Sequence, residues 1–166
     1  MLIRKADNNE TETIKNMRLS SYAQYKNDIS LEHWDMLQGT LTSNGDQQTG
    51  TEIFVAEIDG RIAGSAVLFP SESKAYEWDT ETIKYPEIRM LAVNPDYRSK
   101  GVGRALVRHC IDSARQQQYK FVGLHTGSFM KDAISLYEKM GFKRVPELDF
   151  VPFNDGITVK AFRYDI

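Results

Sequence analysis

The run RSKGVG, Arg98 to Gly103, constrains this 166-residue chain more than any other segment, because it joins a strand-like stretch, EIRMLAV at 87–93, to an amphipathic one at 102–117. A glycine-rich turn in that setting opens a helix, and the first N–H groups of a helix have no partner within it. They lie at the positive end of the helix dipole, here with Arg98 and Lys100 beside them, and so suit a phosphate or pyrophosphate. Other phosphate loops do not fit. A Walker loop places its lysine after the last glycine, whereas Lys100 precedes Gly101. A dinucleotide fingerprint needs a third small residue where Leu106 stands, and no strand-turn-helix unit opens the chain. The hexapeptide alone leaves a plain turn with a basic rim as the alternative.

A second segment narrows the choice. Arg98-x-x-Gly101-x-Gly103, preceded by MLAVNPDY and followed downstream by AISLYEKMGF at 133–142, resembles the acetyl-CoA loop and last-helix motif of the GCN5-related N-acetyltransferase (GNAT) superfamily. The specific likeness runs from Glu87 to Val145, and outside it only the order of elements agrees. The resemblance implies an α/β fold, a mixed central sheet of about seven strands with helices on both faces, in the order β-α-α-β-β-β-α-β-α-β-β. It implies acetyl transfer from acetyl-CoA to a primary amine of a small molecule or peptide, by direct attack in a ternary complex. Protein N-termini or lysines are the alternative acceptors, and an acyl-CoA sensor without turnover is the alternative from another class.

Size and composition agree. A chain of this length fits one domain, 1–166, by the usual domain size of roughly 100–150 residues. Its 41% hydrophobic and 27% charged residues are ordinary for a globular protein. The N-terminal stretch has no signal-like apolar run and no segment reaches membrane-span length, which makes the cytoplasm the expected compartment and a membrane partner unexpected. Net charge of −2 hides an asymmetry: Arg98, Lys100, Arg104, Arg108, Arg115 and Lys120 face only Asp112, whereas 71–87 holds Glu72, Glu77, Asp79, Glu81 and Glu87 against Lys74 and Lys84. The basic half suits an anionic cofactor, and the acidic half a polyamine-like or aminoglycoside-like acceptor. Overall acidity, with no basic run interleaved with aromatics, disfavours nucleic acid. His33 and His109 have no partners at metal-ligand spacing, so no metal is expected. A homodimer stays open.

Periodicity predicts a strand at LIRKA, a helix capped by Asn8 or Asn9, and a second helix starting at Ser30. Strands at 52–58 and 61–69 flank Asp59-Gly60, a strong hairpin signal. Beyond the loop helix come a strand at KFVGLHT, a helix from about Phe129 to Met140 closed by Gly141, and strands at 143–145 and 157–162. Cys110 falls on the apolar side of its helix and reads as a buried structural thiol.

Residue roles follow from the resemblance. Backbone N–H groups of Ser99, Lys100, Gly101, Val102, Gly103 and Arg104 cradle the pyrophosphate, with charge from Arg98 and Lys100, because a Cβ at 101 or 103 would hold the phosphates away. The pantetheine arm enters a gap between the 87–93 and 120–126 strands, against the main chain of Leu91, Ala92 and Val93. Glu87 occupies the place of a carboxylate base, a task that burial assists by raising its pKa; a surface glutamate is the competing reading. Tyr137 matches the general acid toward the thiolate, its phenol being close in pKa to a thiol, with a core aromatic as the alternative. Direct attack needs no nucleophilic side chain. Met130 departs from the family's usual asparagine, and His125 and Thr126 end the fifth strand. Tyr22, Tyr25, Trp34, Tyr76 and Trp78 are the candidate acceptor-lining aromatics.

Overall fold

The computed structural model describes residues 1–72 and 83–166, so Tyr76 and Trp78 lie outside the described residues. Seven strands form one mixed sheet: β1 (Leu2–Lys5), β2 (Glu52–Ile58), β3 (Arg61–Phe69), β4 (Glu87–Val93), β5 (Phe121–Gly127), β6 (Lys143–Arg144) and β7 (Val159–Asp165), in the order β1-β2-β3-β4-β5-β7-β6. Neighbours are antiparallel except β4 and β5. The helices are α1 (Thr11–Tyr22), α2 (Leu31–Thr42), α3 (Val102–Gln116) and α4 (Lys131–Met140). The expected element order is the observed one.

Local chemistry explains most boundaries. Asp59 and Gly60 both have positive φ, 49° and 76°, as a two-residue hairpin of this hand requires. Ser30 caps α2 by accepting from the His33 N–H at 3.1 Å. Gly141, at φ 102°, ends α4, and the Phe142 N–H returns to the Tyr137 carbonyl. Several boundaries differ from expectation, and at two segments the cause is visible. Asn8 and Asn9 do not cap α1; they sit in a 3-10 turn held by Glu10, whose carboxylate accepts from the Asp7 N–H at 2.8 Å and pairs with Arg4 at 2.6 Å. The last strand starts at Val159 because Asp155 binds the Ile157 N–H, and it runs on to Asp165 because β5 pairs with it over its whole length.

Each face of the sheet has its own core. On one, α3 and α4 bury Leu106, Val107 and Tyr137 with Phe54, Leu68, Ile88, Leu124 and Phe162. On the other, Met17, Tyr22, Trp34 and Leu41 from α1 and α2 pack with Ala92 and Met90. Strand alternation would put Ile88 and Leu91 on opposite faces, yet both meet the α3 core. A bulge reconciles them: Ser65 pairs with Ala92 and Val67 with Arg89, and Met90 takes a positive φ of 54°. Pairing of β4 with β5 covers Glu87↔Gly123 and Ile88↔Leu124, so the strands part from Arg89 onward. That splay lies where the resemblance implied a gap. Among the described residues no helix is long and apolar enough to cross a membrane.

Candidate active site

The loop before α3 is shaped by its main chain. Ser99 and Gly101 have positive φ, 62° and 78°, and Gly101 stands at the N-cap. The first helical bond here runs from the Ala105 N–H to the Gly101 carbonyl, and no protein partner for the N–H groups of 99–104 is seen among the described residues. The two glycines answer different needs. A Cβ at Gly101 would meet nothing within 4 Å, and backbone conformation is what demands glycine there. At Gly103 a Cβ would make ordinary contacts with Leu136 and Val93, so the protein itself has room for a side chain. Lys100 lies over the Tyr97 ring at 5.5 Å, and Arg98 reaches the Ser21 carbonyl at 3.4 Å. Arg104 turns into a groove of about 310 Å³ with Arg108, Arg115 and Lys139.

At the splay, Ala92 and Val93 are both in register with β3, opposite Ser65 and Gly64, and the Asn94 N–H donates to the Ala63 carbonyl at 2.8 Å, so by alternation the Ala92 main chain turns toward β3. Leu91 and Val93 alternate with it and face the opening. Both already have partners from the end of α1. The Tyr22 hydroxyl donates to the Leu91 carbonyl at 2.9 Å, and the Val93 N–H donates to Ser21 Oγ at 3.3 Å. A carbonyl has a second lone pair, and a 3.3 Å bond is weak, so neither contact closes the edge.

Tyr137 projects from α4 into the α3-side core, with Phe142 and Phe162 at 5.7 and 6.4 Å. Its hydroxyl has no protein partner among the described residues, and burial holds the phenol well above its usual range. It therefore stays protonated at any physiological pH and is a donor awaiting an acceptor. Cys110 is fully buried and its thiol is pushed up by burial, which removes it as a nucleophile. Met130 receives the Thr126 hydroxyl on its sulfur at 3.6 Å.

Glu87 is buried as expected, but its basicity moves the other way. Burial acts to raise its pKa; the hydrogen bond and charge of His125, then Arg89, outweigh it and bring the carboxyl below its usual value. Arg89 Nη2 donates to Oε1 at 3.0 Å, and His125 Nδ1 lies 2.9 Å from Oε2. His125 Nε2 faces the Leu148 carbonyl at 3.2 Å. Both ring nitrogens thus face oxygens. His125 is tied into this network, with no contact left to spare for pantetheine.

Of the acceptor-lining candidates, Tyr22 and Trp34 belong to the α1/α2 core at 7% and 6% exposure, and Tyr25 packs edge-on against Phe129 at 5.3 Å. Composition and motifs had not singled out Arg89, Ser21 or Asp155. Asp155 accepts from the Ser30 N–H and pairs with His33 at 2.9 Å, clasping the last hairpin to α2, with Phe129 and Phe153 around the ring. Only Arg89 had a visible signal, a cation two residues from Glu87 on one strand face.

A glycine-opened helix beside a splayed parallel strand pair is the geometry of the site, and comparison with known sequences gives its family. The sequence profile of the acetyltransferase (GNAT) family matches residues 12–142, and the chain belongs to that family. It is 32% identical over 136 residues to N-acetyltransferase 8 of Rattus norvegicus, covering 81% of this chain and 58% of that protein. It is 34% identical over 118 residues to the probable N-acetyltransferase camello of Xenopus tropicalis, covering 68% and 49%, and 33% identical over 101 residues to N-acetylaspartate synthetase of Danio rerio, covering 61% and 33%. The chain spans about half the length of the first two relatives. A GNAT acetyltransferase structure from Staphylococcus aureus superposes with a TM-score of 0.72 at 17% identity, covering 99% and 98%. One from Salmonella typhimurium, described with its cofactor acetyl-CoA, gives 0.67 at 21%, covering 99% and 93%. These two likenesses show the fold.

Proposed function

We propose that this chain is one acetyltransferase domain that moves an acetyl group from acetyl-CoA to a primary amine by direct attack. The observation that carries the reading is the row of unpartnered N–H groups at 99–104, opening α3 beside the β4–β5 splay. Such a row fits a pyrophosphate, and the splay exposes Leu91 and Val93 main-chain groups to an amide-bearing arm. Arg98 and Lys100 add charge next to the cradle. Acetyl-CoA supplies the activated acyl group when bound; the chain's residues position it, exclude water and handle protons.

Tyr137 supports the thiolate side. A neutral, buried phenol with a free hydroxyl stabilises developing charge on sulfur by donating a hydrogen bond, and its raised pKa favours a shared proton over full transfer. Glu87 is a poorer base than a lone buried glutamate, since both its oxygens are engaged. Its proposed part is electrostatic: it holds Arg89 and His125 in place, and the amine proton leaves to water. That same engagement is the observation favouring the second reading, an acyl-CoA-binding module without turnover. Acceptors named by the relatives range from aspartate to, for a structure from Brucella melitensis, a ribosomal-protein alanine, and the amine itself is open on these grounds. Incubation with acetyl-CoA and a panel of small amines and peptides, followed by product mass, tests the proposal. Acetylated amines support transfer; acetyl-CoA binding with no product across the panel supports the module.

A further inference from the structure

We propose that the acceptor carries a carboxylate, and that Arg89 binds it. This rests on the acetyltransferase reading and names the substrate class of that same site. Glu87 and His125 fall on the α1/α2 face of the sheet, opposite Ile88 and Leu124 of the α3 core, and the bulge leaves Arg89 on that face too. Around them stand the end of β3 at Phe69, the last hairpin at Leu148 and Phe150, and Met90. One carboxylate, Glu87, therefore serves two groups. Arg89 holds one oxygen and His125 the other.

Arg89 keeps donors beyond the one that Glu87 takes. Its guanidinium lies over the Phe69 ring at 4.2 Å, which restrains it, and one nitrogen is committed to Glu87. The remaining donors have no partner among the described residues, with the side chain 16% exposed. A planar guanidinium with one edge occupied and its face stacked presents the other edge for two-point recognition of a carboxylate. Lysine would not offer that geometry. The neighbouring acidic linker does not compensate it among the described residues: Glu72 is next to Lys84 at 3.8 Å, and Glu87 is already saturated. Because the cluster sits at the mouth of the β4–β5 splay, a carboxylate held there places an amine a few bonds away toward the reacting thioester. An amino acid or an amino-acid conjugate with a free carboxylate has that shape, whereas a polyamine would meet like charge.

The test uses matched acceptors, free amino acids and their carboxamides, at constant ionic strength. Two readouts are taken: CoA release with acetyl-CoA, and the thermal shift each acceptor produces in CoA-bound protein. The acid form should be preferred in both, and Arg89→Gln should lower the acid-over-amide ratio of kcat/KM about tenfold or more, with acetyl-CoA affinity read alongside. Arg89→Lys, which keeps charge without the fork, should fall between. Equal use of acid and amide by the wild type, or a preference for the acid that survives Arg89→Gln, would overturn the assignment. If acids bind and shift the melting point but no amine is ever acetylated, the transferase reading fails and the carboxylate site stands. If amides or amines are acetylated without any acid preference, transfer stands and the site fails.

Discussion

The two halves of the candidate site are built from different materials. On the donor side, the cradle and gap edge are main-chain groups placed by glycine, a bulge and a helix start, backed by an apolar core of α3 and α4. On the α1/α2 side, buried charges hold distant segments together: Arg18 with Asp46 at 2.9 Å, His33 with Asp155, and Glu87 with His125 and Arg89. Main-chain recognition tolerates change in most side chains, and charge clasps tolerate almost none of their members being removed alone. The donor half should therefore break at glycines, and the other half at single charges.

The largest effect on stability should come from Asp46→Ala. It strands the fully buried Arg18 and should cost about 3–5 kcal/mol in a denaturant titration; a loss under about 1 kcal/mol would mean that water already reaches the guanidinium. On the donor side, Gly103→Glu should weaken acetyl-CoA binding by about two orders of magnitude with the melting point nearly kept, because the protein has room for a Cβ there. Unchanged affinity would remove the cradle. Tyr137→Phe should lower kcat by about tenfold to a hundredfold with little change in acetyl-CoA affinity; equal turnover would leave Tyr137 a core aromatic.

Smaller still is the acid limb of stability. Glu87 is held below its ordinary pKa, so it stabilises the fold at neutral pH, and that contribution fades as pH falls through its lowered folded-state value. Glu87→Gln should melt earlier than wild type at pH 7 and lose less on acidification; parallel melting curves against pH would contradict the ion pairing. Ser21→Ala, which frees the Val93 N–H from a long 3.3 Å bond, should change acetyl-CoA affinity by about twofold at most.

The same contrast decides what could be read from the sequence. RSKGVG, Asp59-Gly60 and Gly141 mark positive-φ positions that glycine favours, so the loop and turn conformations and the strand order were legible, whereas the bulge in EIRMLAV was not. The clasps join His33 to Asp155, Arg18 to Asp46 and Glu87 to His125 across long stretches of chain, and nothing local marks them. Glu87 shows the limit best. Its burial followed from its strand, but the sign of its pKa shift depends on His125 arriving from β5 and Arg89 turning at a bulge. Trp34 and Tyr22 show a related limit: an aromatic on an amphipathic helix fits a pocket or a core equally well, and both pack into the α1/α2 core.

The account requires donor and acceptor to occupy opposite sides of one splayed sheet together, with no nucleophilic side chain between them. Initial rates measured while acetyl-CoA is varied at several fixed concentrations of an acetylated amine test this most directly. Double-reciprocal lines that intersect, with no acetyl mass on the protein after exposure to acetyl-CoA alone, are the predicted result. Parallel lines with a covalently acetylated protein would contradict it.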